Sequence, residues 1–98
     1  MAEQFGVERL DWDDWNREHV RKHQVSQDEV AQVITGRPVF LESYKNRLAA
    51  IGPTSSERMV VVIIGPNPVE PGLWYVFSAR PASRKERAIY RDTRGHEQ

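Results

Sequence analysis

The sequence predicts a small α+β domain with two N-terminal helices, a four-stranded antiparallel sheet and a C-terminal helix. Three observations carry that prediction. Two capping-box patterns, Ser26 with Glu29 and Ser83 with Glu86, mark helix starts near opposite ends of the chain. Between them the apolar period changes from helical to strand-like at Val39. Short turn-like segments then divide four strand-like runs, as in a meander.

Taken in order, residues 1–11 offer only Phe5, Val7 and Leu10 as apolar anchors and read as an extended lead-in. A first helix is expected near Asp13, whose carboxylate can accept orphan amide hydrogens, with Asp14 favouring the positive end of the helix dipole. Trp12, Trp15, His19, Lys22 and His23 then recur at helical spacing, giving one aromatic and one charged face. The second helix follows Ser26, buries Val30, Val33 and Ile34, and is stopped by Gly36, read as a left-handed closure, and by Pro38.

Strands are expected over Val39–Ser43, Arg47–Gly52, Met59–Ile64 and Leu73–Ala79. The connections Tyr44–Asn46 and Pro53–Arg58 are short enough for hairpins. Met59–Ile64 is continuously apolar, so it is read as a central strand covered on both sides. Pro66, Pro68 and Pro71 make the stretch from Gly65 to Gly72 an extended loop. Tyr75 and Phe77, or their neighbours on the other face, are read as core. The last helix starts near Arg84, with Ala88 and Ile89 as its apolar contacts.

With 98 residues and 39% apolar content, one domain over 12–94 is expected, with a tail over 95–98. No apolar run is long enough to span a membrane and acidic residues stand where a signal peptide is basic, so a soluble, cytoplasmic protein is expected. The absence of cysteine excludes disulfides, thiolate metal sites and cysteine nucleophiles. No serine lies in a nucleophile elbow, and no glycine-rich loop cradles phosphate. His19 and His23 stand four apart, but Val20 follows where a zinc protease has glutamate and no third ligand is near, so no metal and no cofactor is expected.

The net charge of zero conceals an asymmetry. Residues 1–14 hold five acids against Arg9, whereas residues 80–94 hold six bases, Arg80, Arg84, Lys85, Arg87, Arg91 and Arg94, against Glu86 and Asp92. Arg47 opens one strand, Arg80 ends another, and Arg84 and Arg87 begin the last helix, an arrangement suited to a phosphodiester because guanidinium stays charged and offers paired donors. RNA supplies its own nucleophile in the ribose 2′-hydroxyl, so arginines with a tyrosine or histidine suffice for its cleavage. On the residues alone Arg47 can equally pair with Glu42, and Tyr90 can simply pack on the sheet.

Lys22, His23, Val25 and Ser26 between the helices, the Arg47 strand ending in Ile51 and Gly52, and above all Ser78, Ala79, Arg80 and Ala82 followed by Glu86, Arg87 and Tyr90 resemble the BrnT family of bacterial toxins. The resemblance spans about Trp12 to Arg91. It implies a RelE-like fold, metal-independent endonucleolytic cleavage of RNA, and neutralisation by a small DNA-binding antitoxin with which the toxin can form an oligomer. It also implies Arg47, Arg80 and Tyr90 as site residues, with Lys22 and His23 as further members. His19 stands where the family leads one to expect asparagine, and Gln24 where it leads one to expect the glycine that closes the first helix. The resulting expectation is an mRNA interferase. Arg47 and Arg80 hold the scissile phosphate, Tyr90 or His23 handles protons or stacks a base, and Lys22, Arg84, Lys85, Arg87 and Arg91 hold flanking RNA. The alternatives are a non-catalytic module, including a degenerate toxin, that binds nucleic acid or protein through the same corner, and a structural homo-oligomer.

Overall fold

Six consecutive apolar residues, Met59 to Ile64, set the architecture, because neither side of such a strand tolerates water. In the computed structural model, which describes residues 5–95, this strand lies in the middle of a five-stranded sheet. The elements in chain order are β1 (Arg9–Asp11), α1 (Asp14–Lys22), α2 (Gln27–Thr35), β2 (Val39–Glu42), β3 (Leu48–Pro53), β4 (Met59–Pro66), β5 (Leu73–Pro81) and α3 (Arg84–Gly95). The sheet order is β1-β5-β4-β3-β2. Residues 1–4 of the expected lead-in and 96–98 of the expected tail lie outside the described residues.

The sheet corrects the expected four antiparallel strands. β2 to β5 are antiparallel neighbours, but β1 adds a fifth strand parallel to β5, with Leu10 opposite Trp74. Three residues with one large apolar side chain give too weak an alternation to be read as a strand. What fixes them is distant, since the Glu8 and Arg9 amides both donate to the Gly72 carbonyl at 2.9 Å.

Both expected capping boxes are formed. Ser26 and Glu29 exchange bonds of 3.0 and 3.1 Å, and Ser83 and Glu86 exchange bonds of 2.8 and 3.2 Å. Asp13 caps α1 in the same reciprocal way with Asn16. α1 closes with Gln24 at φ +63°, the left-handed conformation that a glycine adopts without strain, at a cost of about 1–2 kcal/mol. Gly36 departs from expectation. Its φ is −82°, and glycine is needed for space instead, since a Cβ there would come within 2.9 Å of the Gln32 carbonyl.

One sheet face is fully covered. Ala50, Val60, Val62, Ile64, Val76 and Ala79 meet Val20 of α1 and Val30, Val33 and Ile34 of α2 in a dry core. The other face is only partly covered. There α3 packs Tyr90 against a cluster containing Ile51, Val61 and Ala82, and the expected Ala88 and Ile89 are half-buried beside it. The next row across the sheet, Leu41, Ala49, Ile63 and Ser78, is half-buried in every strand, so the second cover expected for β4 stops at Val61. No helix among the described residues is long and apolar enough to cross a membrane.

Candidate functional site

The open half of the sheet face owes its shape to a bulge in β5. Ile63 pairs with Ser78 but Ile64 pairs with Val76, so Phe77 is the extra residue and bends the strand locally. Trp74 and Val76 therefore point into the core, while Tyr75 and Phe77 stay half-buried on the open face with their rings 4.9 Å apart. The alternative reading of these aromatics, neighbours as core, is the one the fold adopts.

Arg47 lies flat on that bulge. Its guanidinium centre is 3.6 Å from the Phe77 ring centre and 5.3 Å from that of Tyr44, which projects from the hairpin 66% exposed. Stacking fixes the plane of the cation, and of its in-plane donors only Nη1 has a described partner, the Tyr44 hydroxyl at 3.5 Å. The expected alternative, an ion pair with Glu42, is not formed. Gly65 permits the arrangement, since a Cβ there would come within 2.7 Å of Phe77 Cε2 and 3.5 Å of Arg47 Cγ. Gly65→Ala is expected to destabilise the fold by about 1–3 kcal/mol through overpacking. Urea unfolding of Gly65→Ala, Phe77→Leu and the double variant should show that the smaller ring recovers most of the loss.

Arg80 is held differently. Its Nη1 and Nη2 each donate to Glu86 at 2.7 Å, a bidentate pair, and Nη1 also reaches the Pro81 carbonyl at 3.3 Å. Hydrogen bonding from Arg80, opposed in part by desolvation, holds the Glu86 carboxyl down at about 2, and the same pairing raises Arg80 above its ordinary value. Glu86 thus serves the α3 capping box and orients Arg80. The end-on edge of the guanidinium is taken. Its side edge, Nε with the second Nη2 hydrogen, is engaged by no described contact and matches two oxygens of a phosphate.

The arginines do not meet at one point. Arg47 crosses β4 to reach Phe77, three residues before Arg80 on β5, which sets their points of attachment along that strand about 10 Å apart at strand rise. Tyr90 is further off. Its hydroxyl donates to the Arg37 carbonyl at 3.1 Å, and the row Val39, Ile51, Val61, Arg80 puts about 14 Å, three strand spacings, between that region and Arg80. Arg87 donates to the Ala82 carbonyl at 2.9 Å, while Arg84, Lys85 and Arg91 are exposed along α3.

α1 runs along β5 from its Tyr75 and Val76 contacts toward the Pro81 end and carries Lys22 and His23 in that direction, with no described contact joining either to Arg80. At its start Asp13 accepts a bond of 2.9 Å from the Tyr75 hydroxyl, and the buried Asn16 amide donates to the Val76 carbonyl at 3.0 Å. Burial, with the Asp13 bond second, pushes the Tyr75 phenol up to about 12. At its end the Gln24 carbonyl accepts from Arg58, beside the Met59 to Ala82 backbone bond that closes the Pro81 end of β5. His23 touches His19 edge-on, with centroids 5.1 Å apart, and His19 stacks on Trp15. The histidines are thus gathered with an indole.

Sequence reasoning passed over Glu86 as a partner, Phe77 and Tyr44 as platforms, and Asn16 as an anchor. Only Glu86 left a signal, since its capping-box position sets it six residues after Arg80, one helical turn past the strand end.

This arrangement of three helices on a five-stranded mixed sheet is similar in structure to a ribonuclease toxin over most of both chains. That protein is BrnT of Brucella abortus, to which the chain is 25% identical, with 78% of this chain and 97% of that one covered and a TM-score of 0.60. The chain has the BrnT-like fold. No family model matches the sequence, and no curated protein does.

Proposed function

We propose that the chain is a toxin-type endoribonuclease that cleaves single-stranded RNA without a metal and is neutralised by a cognate antitoxin. The observation that carries the reading is the pair of pre-oriented arginines on the open face of a BrnT-like fold, one stacked on Phe77 and one gripped by Glu86. Both keep in-plane donors for phosphate oxygens.

In this reading Arg80 binds the scissile phosphate and Arg47 a neighbouring one, as their separation along β5 suits an extended strand better than a single group. The 2′-oxygen attacks the adjacent phosphorus, the new O2′–P bond forms, and the P–O5′ bond breaks. The imidazole of His23 takes the 2′-hydroxyl proton, and the Lys22 side chain gives one to the departing 5′-oxygen. Negative charge developing on the phosphoryl oxygens is met by Arg80. Arg84, Lys85 and Arg91 on α3 hold flanking backbone, and Tyr90 anchors the helix that carries them. The products are a 2′,3′-cyclic phosphate and a 5′-hydroxyl.

The purified chain in EDTA is expected to cut single-stranded RNA to those ends and to leave a fully 2′-O-methylated copy intact. Intact RNA after long incubation overturns the reading in favour of a binding module. Growth arrest on expression, relieved by co-expression of a small neighbouring gene product, tests the antitoxin.

A further inference from the structure

The surface feature that the proposed chemistry leaves unexplained is an exposed tryptophan. Trp15 is 59% exposed, although burying an indole is among the larger apolar gains open to so small a domain. Its ring is nevertheless ordered by a neighbour. His19 lies against it nearly parallel, with centroids 4.6 Å apart and 11° between planes, and His23, one turn further on, meets His19 edge-on at 75°. Residues 15, 19 and 23 thus line one side of α1 with rings over about 12 Å at helical rise, the first two stacked and the third edge-on.

Charge is sorted around the same helix. Arg17 and Arg21 project toward α2 and line the groove between the two helices. They draw the acids of α1 with them, Arg17 pairing with Asp14 at 3.3 Å and Arg21 with Glu18 at 2.6 Å. Asp13 is occupied by the helix cap and the Tyr75 hydroxyl. The ladder side keeps Lys22, seven residues after Trp15 and on the same side of the helix. A stacked indole and imidazole beside an ammonium, on a helix that runs along β5, matches single-stranded nucleic acid: bases extend the stack and the backbone meets the cation.

We propose that the stacked Trp15 and His19 rings, with His23 edge-on behind them, form a nucleobase-stacking ladder that holds the single-stranded RNA flanking the phosphodiester at Arg80. His19 acts as the positioning residue that keeps the indole plane presented, and Trp15 offers its outer face to a base. The ladder rests on the RNA-cleaving reading for the identity of its ligand. It reads base planes rather than base edges, so it favours purines over pyrimidines by stacking strength and sets no strict sequence.

The test uses a fluorescein-labelled 2′-O-methyl oligoadenylate, which cannot be cut, and an abasic oligomer of equal length and charge, with binding followed by anisotropy. Trp15→Ala is expected to weaken the oligoadenylate about tenfold and to leave the abasic oligomer unchanged, while Trp15→Phe stays close to the parent. His19→Ala should weaken the oligoadenylate by a smaller factor and His19→Phe should restore it. Equal affinity of Trp15→Ala for both probes relative to the parent overturns the ladder, and so does an equal loss on both. A loss confined to a protein partner, with oligoadenylate binding intact, overturns it as well. Cleavage separates the two readings. If the parent cuts RNA and Trp15→Ala binds oligoadenylate like the parent, the ladder fails and the ribonuclease stands. If oligoadenylate binding depends on Trp15 but the parent cuts nothing, the ladder stands and the ribonuclease fails.

Discussion

Arg80→Ala is expected to lower kcat for RNA cleavage by about 10²–10³ while changing KM far less, because the guanidinium acts mainly on charge that develops in the transition state. The fold should survive, since Arg80 is half-exposed and its strand is held by Val61, Val62 and Ala79. Glu86→Gln separates presence of the cation from its orientation. The amide keeps the Ser83 cap but donates as well as accepts, so Arg80 loses one of its two 2.7 Å bonds and its fixed plane. A loss of about tenfold in kcat is expected, and undiminished cleavage by Arg80→Ala would remove the residue from the mechanism. The pair also has a pH signature. Glu86 titrates at about 2 in the folded chain against an ordinary 4.5, so its contribution to stability is complete above about 4.5 and is lost as pH falls from there to about 2. After screening around an exposed guanidinium it is worth about 1 kcal/mol. Thermal unfolding of parent and Glu86→Gln should therefore differ at pH 6 and converge near pH 2.

The parts of this arrangement that were legible in the sequence are those fixed by local chemistry. Ser26 with Glu29 and Ser83 with Glu86 announce helix starts because both partners lie within four residues. The β-branched run at Met59–Ile64 announces a central strand because no other environment suits it. β1 was not legible, since Arg9–Asp11 becomes a strand only through Gly72 and β5, more than sixty residues away. The site divides along the same line. Arg47 and Arg80 are visible as cations at strand ends, but what each does depends on Phe77 being pushed out by a bulge and on Glu86 folding back over the strand end. Tyr90 shows the reverse case. Its place in the motif suggests chemistry, and the fold adds a packing contact of its ring with the Ile51 and Val61 cluster and a bond from its hydroxyl to a backbone carbonyl, the second of which the sequence does not announce.

The other large effect is expected at Asn16, a residue with no part in the chemistry. It is fully buried, and its side chain closes three bonds at once: Nδ2 donates to the Asp11 and Val76 carbonyls at 2.9 and 3.0 Å, and Oδ1 accepts the Asp13 amide at 2.8 Å. The Val76 bond matters most, because β1 pairs with β5 only as far as Tyr75 and the next carbonyl of that edge would otherwise be buried alone. Asn16→Ala strands two acceptors and one donor and opens a small cavity, which should cost about 3 kcal/mol in all. For a domain of this length that corresponds to a fall in Tm of about 10–20 °C. Asn16→Asp fills the space but cannot donate to the carbonyls and buries a charge, so it should be no better. The same bonds set the position of α1 against β5, and with it the position of Lys22 and His23 relative to Arg80. Cleavage by Asn16→Ala, measured well below its lowered Tm, should therefore fall through kcat. A variant that unfolds earlier yet cleaves at the parent rate when folded would mean that the end of α1 takes no part in the reaction, and proton transfer would have to be sought elsewhere on the open face.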